Sequence, residues 1–148
     1  MILREATIKD IKQLHAIRMA VKENALSNPL LVKEEDYANY LTVHGKGWLC
    51  EMENEIAGFA IVDTERNNVW ALFVKPGFEQ KGIGKTLHDQ MLNWFFHNKA
   101  NDLWLGTASK TRAERFYKAA GWKEAGRRSN GEVKFEMTYS EWMKLSKI

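Results

Sequence analysis

The spacing of apolar and polar residues changes period several times along the chain, and each change marks an element. Ile2 to Ala6 read as a short first strand. Thr7 and Asp10 then stand at the spacing of a capping box, and Ile11, Leu14, Ile17 and Val21 recur at helical spacing, which predicts a helix running out near Asn24. Asn28-Pro29 interrupts the chain, and the acidic start Glu34-Glu35-Asp36 after Lys33 favours a second, weaker helix toward His44. The linking segment carries Leu26, Leu30, Leu31 and Val32, which either pack on the core or line a substrate entrance. From Gly47 the period becomes that of strands: Trp48 to Met52 and Ile56 to Val62 form a hairpin around Glu53-Asn54-Glu55. After Asn67-Asn68, the nearly continuous apolar run Val69 to Val74 predicts a strand covered on both faces. Ile83, Leu87, Met91, Trp94 and Phe95 then mark a helix ending near Asn98, and Leu103-Trp104-Leu105 a strand. Thr111 and Glu114 cap a short helix that Gly121 stops, and strands from Trp122 to Arg127 and from Val133 to Tyr139 flank the turn Ser129-Asn130-Gly131. Ser140 is placed to cap a last helical turn.

The order of strand, two helices, three strands, helix, strand, helix and two strands predicts a mixed α/β domain spanning 1–148, with β-α-β crossovers only in its second half. Composition supports one folded domain, with 148 residues, 45% hydrophobic and 11% aromatic. The formal charge of +3, from 22 basic and 19 acidic residues, is interspersed and argues against a nucleic-acid partner. Cys50 is the lone cysteine, without the His/Cys spacing of a zinc site, so no metal and a cytoplasmic location are expected. The N-terminus has no signal-peptide pattern and no run is long enough to span a membrane, so no membrane partner is expected.

The stretch from Val74 to Thr86 places a glycine-rich turn between a buried strand and a helix. There the first backbone N–H groups of the helix lack carbonyl partners and the helix dipole is positive, so a pyrophosphate can be held by main chain alone. A P-loop would need glycine at position 79, where Glu79 stands, and a dinucleotide fingerprint would need glycine or alanine at position 87, where Leu87 stands. Lys81-Gly82-Ile83-Gly84-Lys85 instead resembles the acetyl-CoA loop of the GNAT family of N-acetyltransferases, with Glu79 in the family's Gln/Arg place and Gln80 after it. A carboxylate would repel the phosphates, so Glu79 is expected to face solvent while the N–H groups from Gln80 to Lys85 make the contacts.

Phe116-Tyr117-Lys118-Ala119-Ala120-Gly121-Trp122 resembles the same family's Phe-Tyr-x-x-x-Gly-Phe/Trp signature, in the right order after the loop. The similarity extends from Ala6-Thr7 and Asp10 through Gly58-Phe59 to the end of the chain. It implies a GNAT-like acyl-CoA N-acyltransferase fold: a central, mostly antiparallel sheet of about seven strands with helices on both faces. It implies acetyl-CoA as donor, a primary amine, expected to be a small molecule, as acceptor, and no covalent enzyme intermediate. The main chain of Leu72, Phe73 and Val74 would hold the pantetheine arm, and Lys81, Lys85, Lys110 and Arg112 are candidates to face the phosphates. Tyr117 would act as general acid to the leaving thiolate, since a phenol with a pKa near about 10 stays protonated until that base appears. Where many relatives carry a basic Glu this chain has Asn68, which leaves Glu23, and more weakly Asp36 or His44, as candidate general bases. Cys50, in an apolar strand with no His beside it, is a poor nucleophile. An acyl-CoA-binding module without turnover and a nucleotide-phosphate-binding module remain as alternatives. Dimers are common among similar proteins, so a homodimer is an open expectation.

Overall fold

The computed structural model describes residues 1–21 and 32–146. The chain runs β1 (Ile2–Glu5), a 3-10 turn (Ile8–Asp10), α1 (Ile11–Ala20), α2 (Glu34–Thr42), β2 (Gly45–Met52), β3 (Glu55–Asp63), β4 (Asn68–Val74), α3 (Ile83–Asn98), β5 (Leu103–Thr107), α4 (Arg112–Ala119), β6 (Lys123–Arg127), β7 (Val133–Met137) and α5 (Tyr139–Leu145). The seven strands form one sheet in the order β1-β2-β3-β4-β5-β7-β6. Only β4 and β5 are parallel, and their ladder is confined to the pair Asn68 and Trp104. All other pairings are antiparallel.

Alternation of side chains along the strands divides the interior in two. One face, with Leu49, Phe59, Ile61 and Ala71, is covered by Leu14 and Ile17 of α1 and Tyr37 of α2. The other, with Ala60, Val62, Leu105 and Phe135, is covered by α3 through Ile83, Leu87, Met91 and Phe95, and by Tyr117 and Trp142. Gly58 fixes how closely α3 approaches: a Cβ there would lie 2.9 Å from Ile83 Cγ2 and from the Phe73 carbonyl oxygen.

Two sequence expectations are corrected. The first helix ends at Ala20, with Val21 already extended, and is preceded by a 3-10 turn in which Asp10 accepts from the Thr7 N–H at 2.9 Å and pairs with both terminal nitrogens of Arg4. The Arg4 guanidinium holds the Asp10 carboxyl below the ordinary aspartate range. The last helix is capped by Thr138 rather than Ser140: the Thr138 hydroxyl oxygen accepts from the Glu141 N–H at 3.0 Å, and the Glu141 carboxylate accepts from the Thr138 N–H. That box needs an acid three residues on, which Thr138 has and Ser140 lacks. The expected helix end at Asn24 and the apolar segment from Leu26 to Leu31 lie outside the described residues.

Candidate active site

A β-bulge opens the middle of the sheet. Ile61 pairs with Ala71 and Val62 with Val69, so Trp70 is the extra residue in β4. A bulge bends and twists its strand, and beyond Asn68 the edge of β4 that faces β5 has no ladder partner among the described strands. Asn68 bridges the last point of contact, its side-chain amide donating to the Trp104 carbonyl at 3.3 Å. The carboxamide at the family's Glu position is therefore engaged in joining the strands.

Beyond that point lies a cleft of about 360 Å³, lined among others by Ala20 and Val21 of the α1 end, Leu72, Phe73 and Val74 of β4, Gly84 of α3, and Phe116 and Tyr117 of α4. Its walls are largely apolar and its floor is the unpaired edge of β4. A polar strand edge inside an apolar cleft suits an amide-bearing chain, which can add to it like another strand.

The turn between β4 and α3 is built on left-handed backbone: Gly77, Gln80 and Gly82 have φ of 97°, 61° and 81°. Alternation of left- and right-handed residues turns successive N–H groups to one side, and such concavities hold anions. Gly82 is the N-cap of α3 and supplies no side-chain cap. The first intrahelical bond runs from the Thr86 N–H to the Gly82 carbonyl, so the N–H groups of Ile83, Gly84 and Lys85 come before it. Gly84 has no fold-internal reason to lack a side chain, because its added Cβ would meet Val74 Cγ2 at 3.6 Å and Phe116 Cε1 at 3.8 Å, ordinary contacts. Glycine inside a helix costs roughly 0.5–1 kcal/mol relative to alanine, and this one faces the cleft. These features fit a pyrophosphate-bearing thioester such as acetyl-CoA.

Glu79 is exposed, and its carboxylate folds back to accept from the Gly77 N–H at 2.7 Å, with Arg112 at 4.0 Å. Hydrogen bonds from its own backbone N–H and from that of Gly77, with a smaller contribution from the Arg112 charge, hold it below the ordinary glutamate range, which makes it a weak base.

Tyr117 is 6% exposed, with its ring edge-on to Phe116 and Trp122. Burial pushes its phenol well above the ordinary tyrosine value, so it is protonated at neutral pH. Its helix is fixed at both ends. The Thr111 hydroxyl oxygen accepts from the Glu114 N–H at 3.2 Å, and beyond left-handed Gly121 the Trp122 N–H donates to the Tyr117 carbonyl at 3.1 Å. His88 of α3 lies beside it, accepting at Nε2 from the Trp122 indole at 2.9 Å. Nδ1 must then carry the proton it gives to Asp89, and burial holds the imidazole below its ordinary pKa, so His88 is neutral.

Of the residues singled out from sequence, Leu72, Phe73, Val74, Gly84, Arg112 and Tyr117 line the cleft, and so does Glu79, which is exposed as expected but at the edge of the cleft rather than away from it. Gln80, Lys81, Gly82, Ile83 and Lys85 form the adjoining turn, where the Ile83 side chain is buried in the core and only its main chain is available. Lys85 pairs with Asp89 at 2.7 Å. Lys110 is exposed, left-handed at φ 61°, and not part of the cleft lining. Glu23 lies outside the described residues. Asp36 accepts from the Lys33 N–H at the start of α2, and His44 is 2.6 Å from Glu65; neither lines the cleft. Cys50 is fully buried, and burial pushes its thiol up, away from the nucleophilic thiolate. The motif reading missed Phe116 and Ala113 as lining residues, although they share the helix face of Tyr117. Arg18, which follows Leu14 and Ile17 on α1, lies over the ring of cleft-lining Phe73 but is not part of the lining.

No curated protein sequence matches this chain. Many solved structures share its fold, and three serve as examples. They are the ribosomal-protein-S18-alanine N-acetyltransferase of Escherichia coli (17% identity, 92% of this chain and 90% of that one, TM-score 0.71), the PaiA N-acetyltransferase of Thermoplasma acidophilum in complex with coenzyme A (16%, 93% and 98%, 0.77), and an acetyltransferase of the GNAT family from Staphylococcus aureus Mu50 (20%, 93% and 98%, 0.79). The family model described as acetyltransferase (GNAT) family matches residues 11–122, a span that contains the bulged β4, the glycine turn and the Tyr117 helix. By that match over most of its length, and by the site just described, the chain belongs to the GNAT family of acetyl-CoA-dependent N-acetyltransferases.

Proposed function

We propose that this protein transfers the acetyl group of acetyl-CoA directly to a primary amine of a small-molecule acceptor, with Tyr117 as general acid. The observation that carries the reading is the cleft itself, which joins the unpaired edge of β4, the cap-free start of α3 and a neutral buried phenol. Acetyl-CoA would supply an activated thioester carbonyl. The N–H groups at the start of α3 hold its phosphates, and the main chain of Leu72, Phe73 and Val74 takes its amide arm. The apolar walls exclude water that would otherwise hydrolyse the thioester.

Tyr117 keeps its proton until a thiolate is released beside it, and then gives it up. Burial disfavours both the phenolate and a thiolate in the same cleft, so the two acids stay comparable in strength there. The acceptor ammonium must lose its proton before attack. Glu79 is engaged by Gly77 and Arg112, and Asn68 has no basic lone pair, so we assign this step to Glu23, which follows cleft-lining Val21 closely in sequence.

The test is release of free CoA from acetyl-CoA across a panel of primary amines. Turnover that falls roughly 10²-fold in Tyr117→Phe, with acetyl-CoA affinity unchanged, is the expected result. Binding of acetyl-CoA without release of CoA by any amine would favour a non-catalytic acyl-CoA module, a reading to which Asn68 in place of a glutamate lends its support.

A further inference from the structure

Arg18 stands on the buried stripe of α1 with its guanidinium carbon 5.0 Å from the centres of both the Trp70 and Phe73 rings. Its Nε and Nη1 atoms are shut off from solvent and bond no acceptor, and they are the only such side-chain atoms among the described residues. Among those residues it makes no ion pair. The group that acts on it most is the Tyr37 hydroxyl, by charge and by side-chain hydrogen bonding. The two carboxylates whose charge reaches it are used elsewhere, since Glu132 accepts from Arg128 at 2.8 Å and from Asn130 at 3.0 Å, and Asp36 accepts from the Lys33 N–H. Nearby Tyr37 is fully buried and bonds His15 at 2.9 Å. Burying a cation without a counter-charge is expensive, and such atoms are rare in folded proteins.

The location gives the expense a use. Phe73 both carries Arg18 on its ring and lines the cleft, and Ala20 and Val21, the next turn of the same helix end, line it too. Across the gap between β4 and β5, Trp104 shares the sheet face of Asn68 and carries Arg128 and Lys134 over its ring at 5.0 and 5.4 Å. The sheet face beside the cleft is thus aromatic and carries Arg18, Arg128 and Lys134 together with the Glu132 carboxylate that pairs with Arg128; none of these side chains is part of the cleft lining itself.

We propose that Arg18 receives a carboxylate of the acceptor, so that the acetyl acceptor is an amino acid or another amine with a carboxylate a few bonds away. The assignment rests on the acetyl-transfer reading. A planar fork of donors matches a carboxylate, and one half-buried guanidinium neutralises one charge, which suits a carboxylate better than a phosphate dianion.

Protein carrying 15N-labelled arginine is titrated with each common amino acid and with its carboxamide, and the Arg18 Nε–H resonance, identified by its loss in Arg18→Lys, is followed by NMR. A shift with at least one acid and not with its amide is expected. No shift with any acid, or equal shifts with acid and amide, overturns the proposal. In turnover, the acid is expected to exceed its amide in kcat/KM by about ten- to a hundredfold, chiefly through KM, and the ratio should fall to about one in Arg18→Met. Because Arg18→Met replaces a cation with no carboxylate partner among the described residues by an apolar chain, it should melt no lower than wild type; a large loss of stability in Arg18→Met with the acid preference intact in Arg18→Lys would make Arg18 structural and overturn the site. Acetyl-CoA affinity separates the two failures. Wild type that binds no acetyl-CoA refutes acetyl transfer, whereas binding without an acid-dependent Arg18 signal refutes only the carboxylate site.

Discussion

Tyr117 and Gly84 are the residues on which chemistry and packing can be told apart. The Tyr117 hydroxyl has no hydrogen-bond partner among the described residues, so Tyr117→Phe removes no bond and should leave the melting temperature within about 2 °C of wild type while turnover collapses. Calorimetry beside a CoA-release assay checks both halves, and a large fall in stability would make the phenol a structural group. For Gly84 the contacts of an added Cβ are ordinary, so Gly84→Ala should be neutral or stabilise by about 0.5–1 kcal/mol in denaturant titration. Both residues were legible from sequence because they sit in motifs with fixed spacing. Arg18 was not, since a single arginine on an amphipathic helix reads as solvated until the structure lays it over Trp70 and Phe73. The trace available in advance was its place on the stripe of Leu14 and Ile17.

Among the elements, α3 does most to place the site: its start forms the phosphate turn, and its body rests on β3 at Gly58. Gly58→Ala should push Ile83 and Leu87 outward and cost about 1–3 kcal/mol in denaturant unfolding, with acetyl-CoA affinity falling as the turn moves. His88 ties α3 to Trp122 just past α4. Its folded pKa is depressed, so below the ordinary histidine pKa of about 6.5 the unfolded state binds a proton that the folded state refuses. Its stabilising contribution is therefore complete above that pH and lost as pH falls through the folded pKa. Thermal melts from pH 7 to 5 should decline less in His88→Gln, whose amide oxygen can still accept from Trp122; an unchanged slope would assign the acid sensitivity elsewhere. Element order was readable from hydrophobic period, because amphipathic helices and covered strands leave strong patterns. The bulge at Trp70 was not, since an inserted residue in an already continuous apolar run disturbs no alternation. Nor was the end of α1, where no glycine or proline marks the stop at Ala20.

At the scale of the molecule, the sheet is opened between β4 and β5 so that two halves with separate cores share one cleft. A ligand that bridges the opening should stabilise the whole. At a hundredfold excess over its Kd, acetyl-CoA is expected to add about 2.7 kcal/mol, a rise of roughly 5–10 °C in melting temperature for a domain of this size. Among the described residues no helix is long and apolar enough to cross a membrane. The central claim is that the cleft between β4, α3 and α4 binds acetyl-CoA, and isothermal titration of wild type and Gly84→Leu tests it most directly. A leucine there extends into the space between Val74 and Phe116. Binding at one site in wild type, and its loss in a variant whose circular dichroism is unchanged, is the predicted result; no heat with folded wild type, or equal binding by both proteins, would contradict it.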